Sequence, residues 1–104
     1  MARYDVFRNP NPRTRAHSPY LLDVQADALA GLRSRVIVPL SPKDEAPTSP
    51  RTLYPLLPVE GREMVLLTPL VASVPMSAIG ERVASLADEG PSILAALDLV
   101  LTGA

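Results

Sequence analysis

Tyr20-Leu21-Leu22-Asp23-Val24-Gln25, followed by Arg35-Val36-Ile37-Val38-Pro39, is the stretch that decides the fold class. Tyr20, Leu22 and Val24 take one face of an extended chain, and Asp23 and Gln25 take the other. This period of two marks a half-buried strand. In the second segment Val36, Ile37 and Val38 are β-branched in a row, and Pro39 ends the run. Two such segments predict two strands.

Working outward, Tyr4 to Arg8 alternates as a further strand, and Asn9-Pro10-Asn11-Pro12-Arg13 is a strong turn signal. Ser41 to Pro50 is polar, with prolines at 42, 47 and 50, and reads as a surface loop. Leu53 to Val59 and Arg62 to Leu67 flank Glu60-Gly61, a plausible tight hairpin. Pro55 and Pro58 confine the first of these strands to an edge or irregular position, because proline cannot donate to a ladder. Pro69 and Pro75 bracket another short extended stretch.

The one convincing helix is the last segment. Asp88-Glu89-Gly90-Pro91 places acidic residues and a proline where a helix N-terminus favours them, and Gly103 fits the stop. Ile93, Leu94, Leu97, Val100 and Leu101 form an apolar stripe, while Ala95, Ala96 and Leu99 leave little polar face. A helix of this kind needs cover on two sides. One side is expected on the sheet, and the other on the same helix of a second copy of the chain, with Leu97, Val100 and Leu101 at the interface. The fold class is therefore α+β, mostly β: an antiparallel sheet followed by a C-terminal helix.

Length and composition are consistent with this. A chain of 104 residues, 47% hydrophobic and 20% charged, reads as a single domain over residues 1–104. Phe7, Tyr4, Tyr20 and Tyr54 are its only aromatics, so the core is built from Leu, Val, Ile and Ala. There is no cysteine, and the charged N-terminus Met1-Ala2-Arg3-Tyr4-Asp5-Val6 lacks a secretory apolar region. A cytoplasmic location without membrane insertion is expected. A net charge of −1 gives no broad field for holding nucleic acid, so any DNA role is indirect.

Catalytic signals are weak. His17 is the sole histidine and has no ligand partner at metal spacing, so neither a metal site nor a cofactor is expected. No nucleophile elbow, P-loop or dinucleotide fingerprint is present. Glu60 with Glu63, and Asp88 with Glu89, are explained by a hairpin tip and a helix N-terminus. Arg8, Arg13 and Arg15, with Arg33 and Arg35 elsewhere, form the nearest approach to a basic cluster. They read either as a solvated surface or as receivers for an acidic peptide of a partner protein.

The segments Tyr20 to Asp27 and Arg35 to Leu40, then Leu53-Tyr54-Pro55, Ala72-Ser73-Val74-Pro75, Ile79-Gly80 and Ala96 to Ala104, together resemble the pattern of CcdB toxins over nearly the whole chain. The D-V-Q and S-V-P elements at this separation carry the resemblance. It implies an SH3-like antiparallel β-barrel with a C-terminal α-helix, a homodimer, and the toxin role in a type II toxin–antitoxin pair. It further implies binding to the GyrA subunit of DNA gyrase, trapping of the gyrase–DNA cleavage complex, and neutralisation by a CcdA-like antitoxin whose C-terminal segment orders on binding. Carried over position by position, the gyrase contacts are Ala28, Leu29, Asp98, Leu101, Thr102, Gly103 and Ala104. Arg8, Arg13 and Arg15 are the candidate antitoxin contacts. The chain departs from the best-known family ending, an aromatic residue followed by glycine and isoleucine, in having Thr102 and Ala104 around Gly103.

Two alternatives stand beside this reading. Ribonuclease toxins of the MazF and Kid type use the same SH3-like fold, so fold alone does not separate them from CcdB. The terminal helix with its Gly103 ending favours CcdB. A CcdB relative that binds antitoxin without poisoning gyrase is the other alternative, and Ala104 is the feature that supports it.

Overall fold

The period-two segment does form a strand, but the chain buries both of its faces. A computed structural model describes residues 1–103 as seven strands and one α-helix, joined by short 3-10 turns. The strands are β1 (Asp5–Arg8), β2 (Tyr20–Asp23), β3 (Ser34–Pro42), β4 (Leu56–Val59), β5 (Arg62–Leu66), β6 (Ala72–Pro75) and β7 (Arg82–Ser85), and the helix is α1 (Gly90–Thr102). All observed pairings are antiparallel, in the order β4-β5-β3-β2-β1-β7, with β6 also paired to β3. The sheet curls into a half-barrel, the mostly-β architecture with a terminal helix that the sequence indicates.

β3 is the spine. Its first half, from Ser34 to Ile37, pairs with β6, and its last residues, Leu40 to Pro42, pair with β5 along the same edge. Pro39 lies between these two partners, with its carbonyl accepting from Leu67 N at 2.9 Å. Its missing N–H points into the gap where the partner changes, so the strand runs on to Pro42 instead of ending at Pro39.

Pro55 and Pro58 behave as expected: β4 begins only at Leu56 and pairs with β5 alone, at the sheet's end. Glu60 and Gly61 make the two-residue turn, both with positive φ, at +51° and +76°. β7 carries no distinct strand signal in the sequence; it is a short strand with half-buried Val83 and Ala84, recruited by β1.

One face of the sheet, with Val6, Tyr20, Leu22, Val24, Val38 and Leu40, joins Leu57, Met64 and Leu66 and receives Ile93 and Leu97 from α1. Burial of these side chains, at roughly 1.5–3 kcal/mol each, is the main stabilising term. The other face carries Phe7, Leu21 and Ile37, all buried, together with Asp23, Gln25 and Arg35. Arg35, expected on a solvated or peptide-receiving surface, is instead 1% exposed, and its partner Asp23 is fully buried. Asp23 and Gln25 keep the face that the alternation gives them, but that face is buried. Opposite charges placed across neighbouring strands satisfy one another there, which lets both leave water.

Gly80 shows how tightly the β1 end closes. A Cβ at this position would lie 2.6 Å from the Arg8 carbonyl oxygen, the same oxygen that accepts the Gly80 N–H at 2.9 Å. Only glycine fits that approach. Among the described residues, no helix is long and apolar enough to cross a membrane.

Candidate functional site

α1 is anchored on one side and open on the other. Ile93, Ala96 and Leu97 recur at helical spacing and are buried. Leu97, expected at a dimer interface, is 6% exposed and belongs to the core of its own chain. Leu94, Asp98 and Leu101, at i, i+4 and i+7, form an outward stripe instead, with Leu94 42% and Leu101 71% exposed. Val100 is half-buried. The apolar stripe read from sequence therefore divides into an inner set on the sheet and an outer set in solvent.

The helix stops as its last residues predict. Gly103 takes the left-handed conformation, φ +74°, and its N–H donates to Leu99 O at 3.1 Å, while Thr102 Oγ1 donates to Asp98 O at 2.8 Å. Asp98, Leu101, Thr102 and Gly103 are all exposed, a surface with two polar groups and one large apolar side chain. Ala104 lies outside the described residues.

Ala28 and Leu29 lie in the 3-10 turn Asp27–Leu29 after β2, where both are exposed, Leu29 by 51%. The turn is tied to the body at both ends. Arg3 N donates to Asp27 Oδ1 at 2.8 Å, and Gln25 Nε2 donates to Leu29 O at 2.8 Å.

The three candidate antitoxin contacts differ in availability. Arg13 and Arg15 project from an ordered loop, in which Asn9 Nδ2 donates to Thr14 Oγ1 at 2.9 Å and to Ser18 O at 2.8 Å, and Asn11 Oδ1 accepts from Arg13 N at 2.9 Å. Arg8 is already engaged, with Nε 2.8 Å from Glu81 Oε1 and a terminal nitrogen 3.4 Å from Glu60 Oε2. Arg8 and Arg15 line a shallow groove with Asn9, Pro19, Gly80 and Glu81. The hydrogen bond to Glu81, then the charge of Glu60, raises the Arg8 pKa above its ordinary value.

Glu60 also accepts the Tyr20 hydroxyl at 2.6 Å. Burial, then this bond to a carboxylate, raises the Tyr20 pKa. A Tyr–Glu–Arg arrangement holds acid, base and cation together, but each group here is committed to its neighbour. No cluster of three metal-ligating side chains occurs among the described residues.

The Asp23–Arg35 pair and the Gln25 contacts were not legible as a site. Alternation counts as a signal for exposure only where one face of a strand meets water, and both faces of β2 are buried. The Tyr20–Glu60 contact joins residues 40 positions apart and leaves no local pattern.

A sequence profile described as CcdB protein matches residues 3–103. The chain belongs to the CcdB family. Solved structures share its fold at low identity. An endoribonuclease in complex with its cognate antitoxin, from Mycobacterial species, superposes with a TM-score of 0.75 at 16% identity, covering 97% of this chain and 94% of the other. An endoribonuclease from Mycobacterial species gives 0.75 and 16%, covering 97% and 90%. The Mycobacterium tuberculosis toxin MazF-mt6 gives 0.60 and 13%, covering 79% and 84%. At such identities the likeness establishes the fold and leaves the chemistry to the site.

Proposed function

We propose that this chain, as a single toxin domain over residues 1–104, is the toxin of a type II toxin–antitoxin pair. It acts in the cytoplasm as a homodimer that binds the GyrA subunit of DNA gyrase and traps the gyrase–DNA cleavage complex. It touches DNA only through gyrase or the antitoxin complex and catalyses no reaction itself. The observation that carries this reading is the CcdB family match over residues 3–103. The exposed end of α1 supports it, because Leu101, Thr102 and Gly103 can enter a partner without unpacking the core. A CcdA-like antitoxin, matching the antitoxin-bound state of one structural neighbour, would use Arg13 and Arg15 directly and would displace Glu60 and Glu81 to reach Arg8.

The test incubates the purified chain with gyrase and supercoiled DNA, and measures linear DNA after denaturation of the enzyme. Gyrase-dependent cleavage by the full chain, lost on removing Thr102, Gly103 and Ala104 while the melting temperature holds, is the expected result. Retained cleavage by the stably folded truncation would refute the tail as effector. Absence of cleavage by the full chain, with antitoxin binding intact, would favour a relative that no longer poisons gyrase. The endoribonuclease fold of the structural neighbours makes RNA the control substrate. Specific RNA cleavage without gyrase, abolished by Glu60→Gln, would replace this reading with a ribonuclease.

A further inference from the structure

Gln25 is 3% exposed, and its side-chain amide is used at both ends. Its Oε1 accepts from Val36 N at 3.0 Å and its Nε2 donates to Leu29 O at 2.8 Å, while its own backbone N–H donates to Asp23 Oδ1 at 3.0 Å. Asp23 is in turn held by Arg35 Nε at 2.9 Å. The last backbone rung between these strands is Val24 N to Val36 O at 3.0 Å. Beyond it the Gln25 side chain replaces the next rung. The backbone is thereby free to leave the sheet at Ala26 and turn through Asp27–Leu29, while Val36 N–H stays satisfied.

The Leu29 carbonyl accepts twice, from Gln25 Nε2 and from Leu32 N at 3.1 Å, so both its lone pairs are engaged. Its side chain is 51% exposed. An apolar side chain is thus held out to solvent on a backbone pinned to the most buried polar cluster of the protein. Such pinning reduces the ordering entropy of a contact surface before any partner arrives.

We propose that Gln25 is the positioning residue of the Ala28–Leu29 surface, transmitting the rigidity of the buried Asp23–Arg35 pair to a turn that contacts the partner. The partner side of this proposal rests on the reading of Ala28 and Leu29 as gyrase contacts; the pinning itself does not.

Two variants of the full-length chain at pH 8 separate positioning from general support. Gln25→Met keeps the bulk and removes both bonds, while Gln25→Glu keeps an acceptor for Val36 N–H and removes the donor to Leu29 O. Amide exchange is measured along the chain, and binding to purified GyrA protein is measured alongside. The expected result is exchange at least tenfold faster at Leu29, Ala30 and Leu32 in both variants, with protection of Val6, Leu22 and Val38 retained. Val36 protection is expected to fall in Gln25→Met and to persist in Gln25→Glu. Gyrase affinity is expected to fall about tenfold in both. Unchanged exchange at Leu29, Ala30 and Leu32 would overturn the proposal, as would acceleration equal to that of the core amides. If the unmodified chain fails to bind gyrase, the proposed function falls, and the exchange comparison still decides the role of Gln25.

Discussion

Arg35 donates through Nε to Asp23 Oδ2 at 2.9 Å, and both side chains are shut off from water. Removing one partner strands the other charge in the interior. Arg35→Met is therefore expected to lower the unfolding free energy by about 3–5 kcal/mol, and Asp23→Leu by a similar amount. The double variant should recover much of that loss, since an apolar pair leaves no charge unmet. Urea unfolding of the two singles and the double reads the coupling, and additive losses would show that the pair does not act as a unit.

Tyr20 gives the protein a pH dependence of known sign. Its folded pKa lies above the ordinary 10.0 because burial and the Glu60 carboxylate favour the protonated phenol. The folded state therefore holds the proton more tightly than the unfolded chain. The associated stabilisation is complete below about pH 10 and is lost as pH rises through the folded pKa. Tyr20→Phe should flatten the fall in stability between about pH 9 and 11, while lowering stability at neutral pH by about 1 kcal/mol for the lost bond. Melting curves across that range, compared with the unmodified chain, decide it; parallel curves would assign the alkaline loss to other groups.

Gly80 and Gly31 form a matched pair of tests. A Cβ on Gly80 meets the Arg8 carbonyl oxygen at 2.6 Å, a backbone atom that cannot rotate away, whereas a Cβ on Gly31 meets nothing within 4 Å. Gly80→Ala should lose about 1–3 kcal/mol through forced separation of the chain from β1. Gly31→Ala should stay within about 0.5 kcal/mol of the unmodified protein. Equal melting temperatures for the two variants would contradict the close approach.

The two faces of α1 predict opposite phenotypes. Leu97→Ala removes a buried core side chain and should lower stability by about 2–5 kcal/mol. Leu101→Asp alters a side chain that is 71% exposed, so the isolated fold should keep its stability. If the outward stripe is the dimer contact, Leu94→Asp and Leu101→Asp shift sedimentation toward the monomer at micromolar concentration. Sedimentation unchanged in both variants would place the dimer contact elsewhere.

By itself the sequence determined most of the elements and their order, though not β7. Val36 to Val38 read as extended, Pro55 and Pro58 kept β4 out of the middle of the sheet, and Gly103 marked the end of α1, because each follows from local sterics or from a missing donor. The family pattern was equally legible, since the D-V-Q and S-V-P elements are contiguous in the chain. Tertiary structure alone decided which polar residues would be buried. Asp23, Gln25 and Arg35 alternate as surface residues do, and only the pairing of β2 with β3 reveals that they satisfy one another. It also divided the apolar helix into Leu97 within and Leu101 without, and placed Glu60 against both Tyr20 and Arg8. These outcomes depend on what covers each face, and long-range pairing of the chain sets that cover where no local period can show it.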